Sequence, residues 1–193
     1  MPTRLLLISD THVPARARRL PDRVWGAVDE ADLVVHAGDW VDVATLDALE
    51  ARAARLVGVY GNNDGAALRA RLPEVARFGL ERMRFGVVLE TGAACGREAR
   101  MDAAYAGRAD DAGDAGAGDA GASDEGDRRG RAELDVLVFG HSHIPWDTTT
   151  PRGIRLLNPG SPTDRRRQPV GTMMTAIADA GVLRDVTLVP IER

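Results

Sequence analysis

Apolar and polar positions alternate along the first third of the chain in blocks rather than singly. Residues 4–9 form one continuous apolar run, Leu5 to Ile8 at its centre, that stops at Asp10, as expected of a strand covered on both faces. Residues 21–31 set Val24, Trp25 and Val28 at helical spacing and predict a helix. The next block, Leu33-Val34-Val35-His36, predicts a second buried strand, and Ala37-Gly38-Asp39 follows it. The same succession then repeats. Residues 43–54 predict a helix with Leu46 and Leu49 on one face, residues 55–60 a strand, and Gly61-Asn62-Asn63-Asp64 the turn after it. Strand, polar turn and helix in this order imply βαβ units and a largely parallel sheet. Ligands of such sheets lie beyond the carboxyl ends of the strands, where Asp10, Asp39 and Asn62 all fall.

The second half has another rhythm. Short β segments are predicted at 85–90, 134–139, 154–157, 172–178 and 182–190, and they suggest a second, more antiparallel sheet. Between the halves, residues 107–131 consist almost wholly of Ala, Gly, Asp and Arg, with no aromatic or β-branched residue. Such a segment cannot bury enough apolar surface to offset its ordering entropy. It is expected to be a disordered acidic insertion within a single domain spanning residues 1–193.

Composition narrows the chemistry. All 25 basic residues are arginine, so a P-loop, a protein kinase and a Schiff-base enzyme are excluded, each for want of its lysine. The lone Cys95 rules out an internal disulfide framework and a Cys-x-x-Cys zinc site. A cytoplasmic location is expected, since no apolar run approaches the roughly 20 residues of a membrane span. The formal net charge of -4 argues against general affinity for nucleic acid.

Three of the four histidines stand in two tight constellations, Asp10-Thr11-His12 and Gly140-His141-Ser142-His143, each directly after a predicted strand. Histidine nitrogen with carboxylate oxygen suits Mn, Fe, Zn, Co or Ni better than an all-oxygen Mg or Ca site. The fourth, His36, precedes Asp39 and is either a ligand-orienting residue or a partly buried one bonded to backbone.

In order and spacing, Asp10-x-His12, Gly38-Asp39, Gly61-Asn62-x-Asp64 and Gly140-His141-x-His143 resemble the signature of the calcineurin-like metallophosphoesterases, the small prokaryotic phosphodiesterase branch above all. Asn158-Pro159-Gly160-Ser161 is similar to a loop of that branch. The resemblance implies an α/β fold, a four-layer αββα sandwich of two mixed β-sheets flanked by helices. It implies a dinuclear centre, with Mn the leading metal: Asp10, His12 and His143 on the first cation, Asp39 bridging, Asn62 and His141 on the second. Asp39, Asn62 and His141 would then also be catalytic, and the substrate a small phosphodiester. Two cations roughly 3.5–4 Å apart lower the pKa of a shared water and neutralise charge on the phosphoryl oxygens. Asp64 is expected to support these ligands from behind.

Two positions depart from the pattern. Residue 63 is Asn, where larger members of the superfamily place a histidine able to protonate a leaving group. A further metal histidine of the branch is also missing: one register puts Thr91 in its place, another Leu89. The second cation is therefore expected to be weakly held, and a metal-binding scaffold without catalysis is the alternative to an enzyme. Arg165, Arg166 and Arg167 either reach a phosphate or remain a solvated run.

Overall fold

The computed structural model describes residues 1–106 and 133–192; the insertion expected at 107–131 lies outside the described residues. The elements run β1 (Thr3–Ile8), α1 (Asp22–Glu30), β2 (Leu33–His36), α2 (Val43–Arg52), β3 (Leu56–Gly58), α3 (Ala66–Arg69), β4 (Val75–Leu80), β5 (Met83–Val88), α4 (Arg97–Ala104), β6 (Val136–Phe139), β7 (Trp146–Thr149), β8 (Arg155–Asn158), β9 (Gly171–Asp179) and β10 (Val182–Ile191). They build two five-stranded sheets, ordered β10-β9-β1-β2-β3 and β4-β5-β6-β8-β7.

Both sheets are mixed. In the first, β1 pairs parallel with β2 and β2 with β3, whereas β9 is antiparallel to both β1 and β10. In the second, β5, β6 and β8 run parallel, and β4 and β7 flank them antiparallel. The expectation that the late strands form a sheet of their own is thus corrected. An apolar strand such as β1, buried on both faces, also needs its backbone groups satisfied along both edges. Strand β2 meets one edge and β9 the other, with Leu5 opposite Leu33 and Ala176.

Four layers follow from the period-2 alternation of side chains across each strand. One set, including Leu5, Leu7, Val35, Phe85, Val87, Val138 and Met174, fills the space between the two sheets. The opposite face of the first sheet, with Leu6, Ile8 and Val34, packs on Val24 and Val28 of α1 and on Leu46 and Leu49 of α2. Complete burial of one such aliphatic side chain contributes about 1.5–3 kcal/mol. The outer face of the second sheet, with Leu137, Phe139 and Leu156, lies under Met101 and Tyr105 of the α4 region. Helix α4 also inserts Arg97, whose guanidinium stacks 4.8 Å from the Phe139 ring and 4.4 Å from the Trp146 ring. Among the described residues no helix is long and apolar enough to cross a membrane.

Candidate metal centre

The carboxyl ends of β1, β2, β3 and β6 open at one end of the sandwich, and the turns there are unusual. Asp10, His12, Asp39, His141 and His143 all have positive φ, between 43° and 67°. Non-glycine residues adopt this left-handed conformation at an energetic disadvantage, and it gathers at sites where the side chain must be aimed. Surrounding bonds hold these turns in place. Gly38 O accepts from Asp10 N at 2.9 Å, Asp39 O accepts from His12 N at 3.1 Å, and Leu89 O accepts from Gly140 N at 2.9 Å. The Asn158-Pro159-Gly160-Ser161 loop clamps the assembly from behind. Asn158 Nδ2 donates to Gly140 O at 2.8 Å, Ser9 Oγ to Gly160 O at 2.7 Å, and Ser161 Oγ to Asp10 O at 2.7 Å.

Two glycines let the carboxylates approach the backbone. A Cβ on Gly61 would overlap the Asp39 carboxylate, and one on Gly140 would lie 2.8 Å from Asp10 Oδ2. Any other residue at position 61 would push the turn off Asp39.

Among the described residues, Asp10, His12 and His143 each bring one ligand atom to within 4.8 Å of the others. Nε2 of His12 stands 3.2 Å from Nε2 of His143. Nε2 of His143 is 3.5 Å from Asp10 Oδ1, and Nε2 of His12 is 3.7 Å from Asp39 Oδ2. The tautomer of His143 follows from its other side: Nδ1 faces the backbone carbonyl of Asp164 at 2.6 Å. A carbonyl only accepts, so Nδ1 carries the proton and the lone pair of Nε2 points into the cluster. Burial keeps this ring neutral, lowering its pKa to about 4, and lowers that of His12 as well. Burial together with the nearby Asp39 charge pushes Asp10 up to about 8, and its Oδ2 is buried without a hydrogen-bond partner. The inward lone pair of His143 and the orphaned carboxylate oxygen of Asp10 leave a position that a divalent cation fits.

Asn62 and His141 also meet. His141 Nδ1 lies 3.2 Å from Asn62 Oδ1, and His141 N donates to Asp10 Oδ1 at 3.0 Å. Asp39 sits between these groups and His12, under the Gly61-Asn62-Asn63 turn. All six residues singled out in the sequence therefore line one end of the sandwich.

Their neighbours divide the supporting work. Asn63 donates to both oxygens of Asp39, from its backbone N at 2.9 Å and from Nδ2 at 2.7 Å. Asp64 accepts from Val41 N and Gly61 N, each at 2.7 Å, and so pins the turn that presents Asn62; burial raises its pKa. His36 is fully buried, and its hydrogen bonds run to Gly38 and Thr11. Gly38 N donates to its Nδ1 at 3.2 Å, so its Nε2 carries the proton shared with Thr11 Oγ1 at 3.0 Å, and the ring stacks 3.5 Å from Trp40. Burial pushes its pKa well down. It braces the β1 and β2 turns from inside.

The two positions that could stand for the missing histidine are packed differently. Leu89 is buried against Gly38, its Cδ1 3.0 Å from where a Gly38 Cβ would stand. It also lines the same cavity as Gly61 and Asn62. Thr91 is buried too, and its carbonyl accepts from Arg100 Nη2 at 3.3 Å. Hydrocarbon thus faces the Asp39–Asn62 side of the centre.

A fold of two mixed sheets with an Asp–His cluster at the strand ends is that of the metal-dependent phosphoesterases. Residues 3–181 match the calcineurin-like phosphoesterase superfamily domain, and the chain belongs to that family. It is 30% identical over 186 residues to a probable metallophosphoesterase of Methanocaldococcus jannaschii, covering 96% of this chain and 80% of that protein. A solution structure from Thermotoga maritima is similar at 29% identity and a TM-score of 0.67, over 97% of this chain and 99% of the other. Vps29 of Chaetomium thermophilum shares the fold at 17% identity with a TM-score of 0.69, over 97% and 95% of the two chains.

Proposed function

We propose that the protein is a metal-dependent phosphodiesterase acting on a small phosphodiester. The observation that carries this reading is the cluster of Asp10, His12 and His143, with Asp39 beside it and Asn62 and His141 meeting across it. Asp10, His12 and His143 would hold one divalent transition metal, Mn being the leading candidate. Asp39 would serve both positions, and Asn62 with His141 a second, weaker one. When bound, such cations supply Lewis acidity at the phosphoryl group and a nucleophilic water near neutral pH.

The chain's own residues perform the rest. Asn63 and the Gly61 turn hold the Asp39 carboxylate in a fixed plane. The Asp164 carbonyl keeps the lone pair of His143 turned inward, and the neutral Asn62 leaves positive charge available to the phosphate. With Asn63 engaged on Asp39, no imidazole at position 63 protonates a departing alkoxide. Substrates with good leaving groups, diesters of acidic alcohols among them, are favoured over alkyl monoesters.

Leu89 favours a second reading, a metal-binding scaffold in which the Asn62–His141 position has lost its catalytic cation. Hydrolysis of an activated aryl phosphodiester separates the two. Turnover that needs added Mn and vanishes in Asp39→Ala is expected of the enzyme; turnover undiminished in Asp39→Ala overturns the two-metal assignment.

A further inference from the structure

A groove of about 400 Å³ leads away from the metal cluster. Its inner end is Asn62, on the turn after β3, and it runs across β4 and β5 to Tyr105 at the end of α4. Its volume falls in the roughly 300–1,000 Å³ range of small-molecule sites.

Two wall residues have their polar ends engaged. Arg69 donates from Nε to Asp64 O at 2.7 Å and from Nη2 to Gly61 O at 2.9 Å, and its guanidinium lies 4.4 Å over the Tyr60 ring. The Tyr60 hydroxyl donates to Glu74 at 3.1 Å. Apart from its carboxylates and Asn62, the groove offers rings and hydrocarbon, namely the Tyr60 and Tyr105 rings and a base that includes Val75, which is 43% exposed. Charge argues in the same direction. Among the described lining residues Glu74 and Glu90 stand against Arg69, and Arg77, 5.6 Å over the Tyr105 ring, is paired with Glu133 at 3.1 Å; this balance of negative charge disfavours a second anionic group.

We propose that this groove is the subsite for one organic arm of the substrate, a flat uncharged ring of aryl or nucleobase size, carried by a phosphate lying at Asn62 and His141. The assignment rests on the phosphodiesterase reading and narrows its substrate class. It excludes esters that bear a second phosphate on that arm.

The test is calorimetric binding of three product-like probes to the Mn-loaded protein: methyl phosphate, phenyl phosphate and 1,4-phenylene bisphosphate. Phenyl phosphate is expected to bind about tenfold more tightly than methyl phosphate, the gain from stacking one ring, and the bisphosphate no more tightly than methyl phosphate. Val75→Trp fills the groove from an exposed strand position, and Tyr105→Ala removes a wall. Each should collapse the phenyl advantage to near onefold and leave methyl phosphate affinity unchanged. Equal affinity for phenyl and methyl phosphate in the wild type, or an advantage that survives both substitutions, overturns the proposal. The two readings fail separately. A phenyl advantage lost in Val75→Trp supports the subsite even in a protein that hydrolyses nothing, whereas turnover without that advantage keeps the phosphodiesterase and removes the subsite.

Discussion

Glu90 and His141 stand across the ends of the neighbouring parallel strands β5 and β6, with Glu90 Oε1 3.9 Å from His141 Nε2. Nδ1 of the same ring faces Asn62 Oδ1 at 3.2 Å. Metal-binding histidines commonly turn their second nitrogen to a carboxylate, which fixes the tautomer and raises the basicity of the first. At 3.9 Å Glu90 acts on the ring through its charge rather than through a hydrogen bond. Calorimetric titration with Mn is expected to show two unequal steps, and Glu90→Ala should weaken the second by about 10–100-fold while leaving the first intact. Glu90→Gln, which keeps the shape and removes the charge, should lose nearly as much. A second step unaltered in Glu90→Ala would show that the carboxylate does not act on the ring.

The packing of Leu89 gives a second prediction. A histidine in its place would stand beside Gly38 and the Gly61–Asn62 turn, so Leu89→His is expected to tighten the weaker metal step and raise turnover at limiting Mn. Thr91→His should do neither. Improvement by Thr91→His alone would show that the side chain at 91 is the one that reaches the metals.

Gly61 offers a test by steric exclusion. Because a Cβ there overlaps the Asp39 carboxylate, Gly61→Ala should shift the turn or the carboxylate, with about 1–3 kcal/mol of destabilisation from overpacking and loss of most Mn-dependent turnover. Gly65, with nothing within 4 Å of its would-be Cβ, is the control, and Gly65→Ala should be near neutral in thermal melts and in assay. Equal behaviour of the two variants would sink the account of the Gly61 contact.

Much of this site was legible because chemistry follows strand ends. The apolar runs before Asp10, Asp39 and His141 marked where buried backbone stops and side chains turn toward solvent, and the x-spaced pairs identified the converging histidines. What escaped was what depends on partners distant in sequence. The pairing of β9 with β1 is invisible in either strand alone, since any apolar strand of that length accepts either edge. Strand β4 does alternate, with Ala76, Phe78 and Leu80 inward, but Arg77 and Gly79 interrupt its apolar character. Strand β7, Trp-Asp-Thr-Thr, reads as a loop until Leu156 and Leu157 pair with it. The Asp164 carbonyl that sets the tautomer of His143 has no side-chain signal at all. Asn63 first stood out as a missing histidine, yet its double donation to Asp39 is a positive role that only the fold reveals.

Asp10, Asp39 and Asn62 leave from the first sheet, whereas His141 and His143 leave from the second. The centre therefore straddles the seam of the sandwich, at one end of the shared apolar layer. A cation seated among Asp10, His12 and His143 cross-links the two sheets at that end as a staple would. Without it, the sheets are joined there by hydrogen bonds alone, among them His141 N to Asp10 Oδ1, Ser9 Oγ to Gly160 O and Ser161 Oγ to Asp10 O. A cation there adds to those bonds, so that occupancy of the site and closure of the fold at that end are coupled.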